Sequence, residues 1–415
     1  MNSFRRQGGV LVGCFLLFSC AALLSCHRSK QHYSSSDVGG SRALVTAPAA
    51  IPTPPTKPAR RRAPAPSPQP PSAAVELDHA IDSLGRTFRG RVGLAVRDIQ
   101  TGWTSDYRGL EYFPQQSVSK LWVSIAVLDQ VDQRRFDLSR SVTVREKDLT
   151  LFHQPIRALA IRPGGYKTTP DDLMRRALTQ SDNSANDILL REAGGPDAVR
   201  SMLEDKSIAG IRFGPGEKKL QASIAGLVWP TDCDGGGGFY TARDALPFGR
   251  RQAAFDAYVT DPVDGATPLG LVDALARLEK GQLLSPESTA RITAIMQHTR
   301  TGALRLKSGV PSGWMLAHKT GTGQVLEGEQ AGYNDVGILT SPEGRSYAVA
   351  VMIGRTSRPL KERMILMQKV VEATIAYDHA LAKQQASAPE EHDPVEASPA
   401  SEDRYQIRTR ASGGR

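Results

Sequence analysis

Cysteine is nearly absent from the body of this chain of 415 residues. Three of the four, Cys14, Cys20 and Cys26, crowd into the first 26 residues, and Cys233 stands alone beyond them. One cysteine builds neither a disulfide framework nor a Cys-rich metal site. The eight histidines include no His-x-x-x-His pair, and His153, His298 and His318 are scattered, so the helix motif of a zinc hydrolase is missing as well. The net charge of +9 hints at nucleic acid until it is located. Residues 1–72 hold nine Lys and Arg against one acid, Asp37, which leaves 43 bases against 42 acids in the remaining 343 residues. The globular part is therefore neutral, and nucleic-acid binding is not expected.

What is present at the start is an export signal. Arg5 and Arg6 precede a hydrophobic core from Val10 to Leu24, too short and wrongly flanked for a spanning helix. Leu23-Leu24-Ser25-Cys26 resembles a bacterial lipobox, in which Cys26 is lipidated and becomes the mature N-terminus. A plain secretory signal without lipid is the alternative. Residues 1–26 are thus read as a leader, placing the protein in the periplasm, tethered to the membrane through lipid. Residues 27–74, rich in Ser, Pro, Ala and Arg, bury too little apolar area to fold and read as a tether. Residues 384–415, polar and Pro/Ser-rich, read as a disordered tail.

Residues 75–383 remain as one domain. Helical spacing covers Val75 to Phe88, a strand Arg91 to Asp98, and a returning strand Thr104 to Tyr107. Thr169-Pro170 opens a helix through Leu178, with Asp171 and Asp172 at the positive end of its dipole. Helices follow over Thr267 to Leu278 and Ser285 to His298, then strands Asp335 to Leu339 and Ser346 to Ile353, then a long amphipathic helix from Leu360 to Leu381. This order predicts an α+β fold whose antiparallel sheet is completed by both ends of the domain, beside a mostly helical part.

Three short motifs carry the chemistry. In Ser117-Val118-Ser119-Lys120, a helix beginning at Ser117 places Lys120 one turn on, on the same face. A serine hydroxyl needs an adjacent base to attack a carbonyl. Lysine serves as that base where burial or another cation disfavours its ammonium, and the apolar run Leu121 to Leu128 offers the burial. Ser181-Asp182-Asn183 follows a predicted helix, and Lys319-Thr320-Gly321 precedes the final strand pair. Singly, each also fits a helix cap or a surface turn.

Together and in this order, the three motifs resemble those of the penicillin-recognising serine hydrolases, most closely the class A β-lactamases. The likeness spans roughly residues 75–381 and includes Gly194-Gly195-Pro196. It implies that Ser117 attacks a strained amide, Lys120 takes its proton, and Ser181 relays a proton to the leaving nitrogen. Asn183, Lys319, Thr320 and Thr322 would bind substrate, with Lys319 as a second cation. The backbone N–H groups of Ser117 and Thr322 would form an oxyanion hole, each donor worth about 3 kcal/mol. The family's deacylating glutamate maps to Glu217, five residues after Arg212, with Gln221 in place of the usual water-holding asparagine. The alternative for Glu217 is a solvated loop carboxylate beside Lys218 and Lys219.

The departures bear on deacylation and on the cleft. Gly214 and Pro215 stand where an acid and an arginine usually brace the loop. Residues 222–259 form an insertion able to cover the cleft or reshape it. No arginine accompanies Tyr333-Asn334-Asp335, where many relatives grip a substrate carboxylate. The reading is a monomer that needs no cofactor or metal and acts on a small-molecule β-lactam or a cell-wall peptide. Rival readings are a D,D-peptidase or esterase of the same fold, and a non-catalytic penicillin-binding envelope protein.

Overall fold

The computed structural model describes residues 72–233 and 238–387. The leader, most of the tether and most of the tail lie outside the described residues. The domain begins slightly earlier and ends slightly later than the sequence suggested. The first helix runs Ser72–Thr87 and the last Leu360–Ser387, so residues 72–74 and 384–387 are helical. Ala73 and Ala74 are buried, which explains why the helix starts before its first large apolar residue.

The main sheet is antiparallel, six-stranded among the described residues, and made by both ends of the domain. Its order is Thr104–Tyr107, Arg91–Asp98, Ser346–Thr356, Glu329–Thr340, Met315–Thr322, with Val325–Leu326 paired beside Glu329–Thr340. This is the α+β architecture expected. Both faces are covered, so the strands are buried nearly throughout, and alternation sorts large from small. Tyr347, Val349, Val351 and Ile353 pack with the first and last helices. Ala348, Ala350 and Met352 turn to the other face, into the core of the helical body. Small side chains there let the Pro268–Glu279 helix approach the sheet. Each large aliphatic chain buried in this way contributes roughly 1.5–3 kcal/mol.

The helices of the body begin where short polar side chains can cap them. Thr169, Thr267 and Ser285 each accept a hydrogen bond from the first turn, and each is followed by proline at the first helical position, where proline has no N–H to leave unpaired. At the centre lies the helix Lys120–Asp132, in which every residue from Lys120 to Leu128 is buried. A helix hydrophobic all round belongs in a core, and this one carries the lysine of the first motif at its N-terminus.

The described part of the insertion contains two helices docked on the body. Phe248–Thr260 packs Phe255, Tyr258 and Val259 against Leu220 and Ile224 of the Glu217–Ile224 helix. Gly238–Ala245 packs Phe239 beside Leu151 and Phe152, with Phe152, Phe239 and Tyr240 edge to face at 5.2–5.9 Å between ring centres.

Candidate active site

Ser117 sits on a 3₁₀ turn, Gln116–Ser119, which leads into the buried helix. Gln116 adopts a left-handed φ of +53°, so the chain bends sharply just before Ser117. Lys120 is fully buried, and its Nζ lies 2.7 Å from Ser117 Oγ. The same Nζ is 3.7 Å from the Glu217 carboxylate. Glu217, on a loop-borne helix a hundred residues further along the chain, is 9% exposed. It is not a solvated loop carboxylate.

Lys319 arrives on the strand Met315–Thr322. It is also fully buried, donating to Ser181 Oγ at 3.0 Å and to the Thr320 carbonyl at 2.9 Å. Burial, then the neighbouring Lys120 charge, hold its pKa well below the ordinary ammonium range. Two lysine–serine pairs thus border one site, Lys120 with Ser117 and Lys319 with Ser181, near enough for the Lys120 charge to act on Lys319.

The strand reaches the Ser117 turn because of a glycine. A Cβ on Gly321 would stand 2.3 Å from the Gln115 carbonyl oxygen and 3.1 Å from Asn334 Nδ2. Asn334 ties the same place together, donating to the Pro114 and Gln115 carbonyls at 2.7 and 3.1 Å.

Ser181 is likewise left-handed, with φ +57°. Asp182 is the cap of the Asn183–Glu192 helix. It accepts from Ala185 N at 2.9 Å and Ile156 N at 2.6 Å. The second motif is therefore both a helix cap and part of the site. Asn183 Nδ2 donates to the Leu151 carbonyl at 2.9 Å, and its backbone N–H to the His153 carbonyl. Asn183 thereby holds the segment that forms one wall of the cleft.

The cleft itself encloses about 460 Å³. Ser117, Ser181, Asn183, Glu217, Thr320 and Thr322 all border it, so the site residues named from the sequence converge here, with the two lysines beneath its floor. Gln221 borders it too, but its amide is partly committed, donating to Gln116 Oε1 at 3.0 Å and accepting from Gln324 Nε2 at 2.8 Å.

Sequence motifs missed Arg305. It comes from the loop ahead of the strand rather than from beside Tyr333, and is 8% exposed. Its guanidinium lies 3.8 Å over the Tyr333 ring and donates to Thr322 Oγ1 at 2.6 Å and to the Gly321 and Asn334 carbonyls at 3.0 and 2.6 Å. Thr301, whose hydroxyl meets that of Thr320 at 2.7 Å, arrives on the same loop. A cation and three threonine hydroxyls at the rim suit a carboxylate. No local pattern marks Arg305; its contact with Thr322 forms only when the loop folds back. Phe152 and His153 also line the cleft.

The loop before Glu217 has no charged side chain at 214 or 215 and is supported from elsewhere. Arg212 turns outward to Asp261 at 2.5 Å and stacks 3.9 Å over Tyr112. Asp187 accepts from Glu217 N at 3.0 Å; burial, then the Glu217 charge, push its pKa up to about 6. Asp264 is 1% exposed and accepts from Gln116 N at 2.8 Å. Burial pushes it up to about 6 as well, against the opposing effects of that N–H and of the Tyr258 hydroxyl.

This arrangement has known counterparts. Residues 76–380 match the model of the β-lactamase enzyme family. β-Lactamase VEB-1 of Pseudomonas aeruginosa is 26% identical over 306 residues, covering 73% of this chain and 90% of that protein. Extended-spectrum β-lactamase PER-1, from the same organism, is 29% identical over 320 residues, covering 75% and 90%. Among solved structures, a β-lactamase from Chitinophaga pinensis DSM 2588 superposes with a TM-score of 0.60 at 26% identity, over 73% of this chain and 99% of that one. An ancestral class A β-lactamase gives 0.58 at 27% identity, over 72% and 98%. The family match runs through nearly the whole described domain, and the chain belongs to the class A β-lactamase family.

Proposed function

We propose that this protein is an exported serine β-lactamase. In the first half-reaction Lys120, directly or through water, takes the Ser117 proton as Oγ bonds to the lactam carbonyl carbon. The amide C–N bond then breaks, and Ser181 passes a proton to the leaving nitrogen. In the second, Glu217 takes a proton from water, the hydroxide adds to the acyl carbonyl, and the ester bond to Ser117 breaks with its proton restored. Lys319, Thr320 and Arg305 hold the substrate carboxylate. The backbone N–H groups of Ser117 and Thr322 receive the oxyanion.

The observation that supports this reading best is the convergence on Lys120, 2.7 Å from the Ser117 hydroxyl and 3.7 Å from the Glu217 carboxylate. A peptidase that penicillin merely inactivates needs the first contact and not the second. Nitrocefin hydrolysis by the purified protein is the test. Steady turnover is expected, abolished by Ser117→Ala, with Glu217→Gln leaving a persistent acyl adduct on Ser117. A wild-type adduct that never clears would mean a D,D-peptidase, and the absence of both turnover and adduct would overturn the catalytic reading.

Export and lipid attachment at Cys26 belong to the same proposal, supported by the leader and its Leu-Leu-Ser-Cys end. Intact-mass analysis of the cell-made protein tests it. The expected N-terminus is a diacylated or triacylated Cys26.

A further inference from the structure

Tyr258 takes no part in acyl transfer, yet its hydroxyl meets the machinery at a junction. It lies on the inserted helix Phe248–Thr260 and is 7% exposed. The hydroxyl accepts from Gln116 Nε2 at 2.6 Å, Gln116 Oε1 accepts from Gln221 Nε2 at 3.0 Å, and Gln324 Nε2 closes the line on Gln221 at 2.8 Å. Gln116 directly precedes the nucleophile. Gln221 is one helical turn beyond Glu217 and shares its helix face. An unbroken run of side-chain hydrogen bonds thus joins the insertion, the nucleophile turn and the helix that carries the base.

The two half-reactions depend on this run differently. Ser117 and Lys120 are three residues apart on one turn, so local backbone geometry sets their distance. Glu217 belongs to another segment, and its distance from Ser117 depends on what ties the two segments together. The loop's arginine, Arg212, points out to the exposed Asp261, an ion pair of small worth. Glycine and proline at 214 and 215 offer no charged brace.

We propose that Tyr258 is a positioning residue for deacylation, acting through Gln116 and Gln221 to hold the Glu217 helix in register with the Ser117 turn. The inference rests on the β-lactamase reading and concerns which step the insertion supports. Removing the Tyr258 hydroxyl, which meets Asp264 as well as Gln116, should slow the step that uses the base by about 10-fold.

Stopped-flow nitrocefin hydrolysis by the full chain separates the steps. Tyr258→Phe keeps the ring. It should give a burst of one product per enzyme, an acyl adduct on Ser117 visible by mass spectrometry, steady turnover lower by about 10-fold, and an unchanged acylation rate constant. Gln116→Met, which cuts the same line one residue on, should show the same split, and adding Tyr258→Phe to it should change little further. Equal losses in acylation and deacylation, additive effects of the two substitutions, or no change in either variant would overturn the positioning role. If the wild type neither turns over nor forms an adduct, the hydrolase reading fails and this role with it. If the wild type turns over without a burst and both variants match it, only the role of Tyr258 fails.

Discussion

Replacing Asp264 by asparagine should make the protein more stable at neutral pH and leave it nearly unchanged in acid. The carboxyl is 1% exposed and accepts from Gln116 N, with Tyr258 and Glu217 as the other titratable groups acting on it. Burial raises its pKa from 3.8 to about 6. A carboxyl whose folded pKa exceeds its unfolded one binds its proton more tightly in the native state. Its contribution to stability is therefore largest in acid and falls as pH rises from about 4 to about 6. A shift of roughly two units corresponds to about 3 kcal/mol, an upper figure for a group that also accepts hydrogen bonds. Asparagine keeps an acceptor for Gln116 N and has no charge to bury. Urea unfolding of wild type and Asp264→Asn at pH 4, 5, 6 and 7.5 measures the difference. The expected gain grows across that window to between about 1 and 3 kcal/mol and is flat above it. A difference independent of pH, or one favouring the wild type more as pH rises, would refute the argument.

Two further substitutions test the geometry of the cleft. Gly321→Ala places a methyl 2.3 Å from the Gln115 carbonyl oxygen, which must push the strand from the nucleophile turn. A loss of about 1–3 kcal/mol in unfolding free energy is expected, together with slowed acylation, both measurable on one preparation. Arg305→Ala removes the rim guanidinium while leaving Ser117 and Lys120 untouched. KM for substrates bearing the ring carboxylate should rise about 10-fold or more, with a much smaller change for an ester analogue that lacks the charge. A loss shared equally by both substrates would remove Arg305 from the carboxylate site.

The parts of this fold that were legible in the sequence are those set by short spacings. Ser117 and Lys120 declare each other because three residues make a turn, and the strand at Arg91–Asp98 begins and ends as read. Thr169-Pro170 marks its helix because cap and proline are neighbours. The chain ends of the domain were less sharp, since small alanines at 73 and 74 carry little periodic signal. Contacts between distant segments were not legible. Arg305 reaches Thr322 only after a loop reverses, and Tyr258 reaches Gln116 across 142 positions. The insertion read as a possible cover because its composition, glycine beside aromatics, does not reveal that Phe255, Tyr258 and Val259 share one face directed at Leu220 and Ile224. Family likeness located Glu217. Its burial, and the Asp187 and Asp264 carboxyls beneath the loop, required the packed structure.

The pairing of the first and last helices has a topological consequence. Gln384 Nε2 donates to Ser72 Oγ at 2.6 Å, so the two points where the polypeptide enters and leaves the domain are neighbours. The domain is in effect a closed loop cut at one place, and the cut is movable. Joining residue 387 to residue 72 with a short glycine–serine link and reopening the chain at the exposed turn around Gly281, where nothing lies within 4 Å of an added Cβ, should return the same sheet in a permuted order. In the natural order, tension applied through both terminal segments loads this one helix pair first. The cleft, built from residues between them, is not on the line of force.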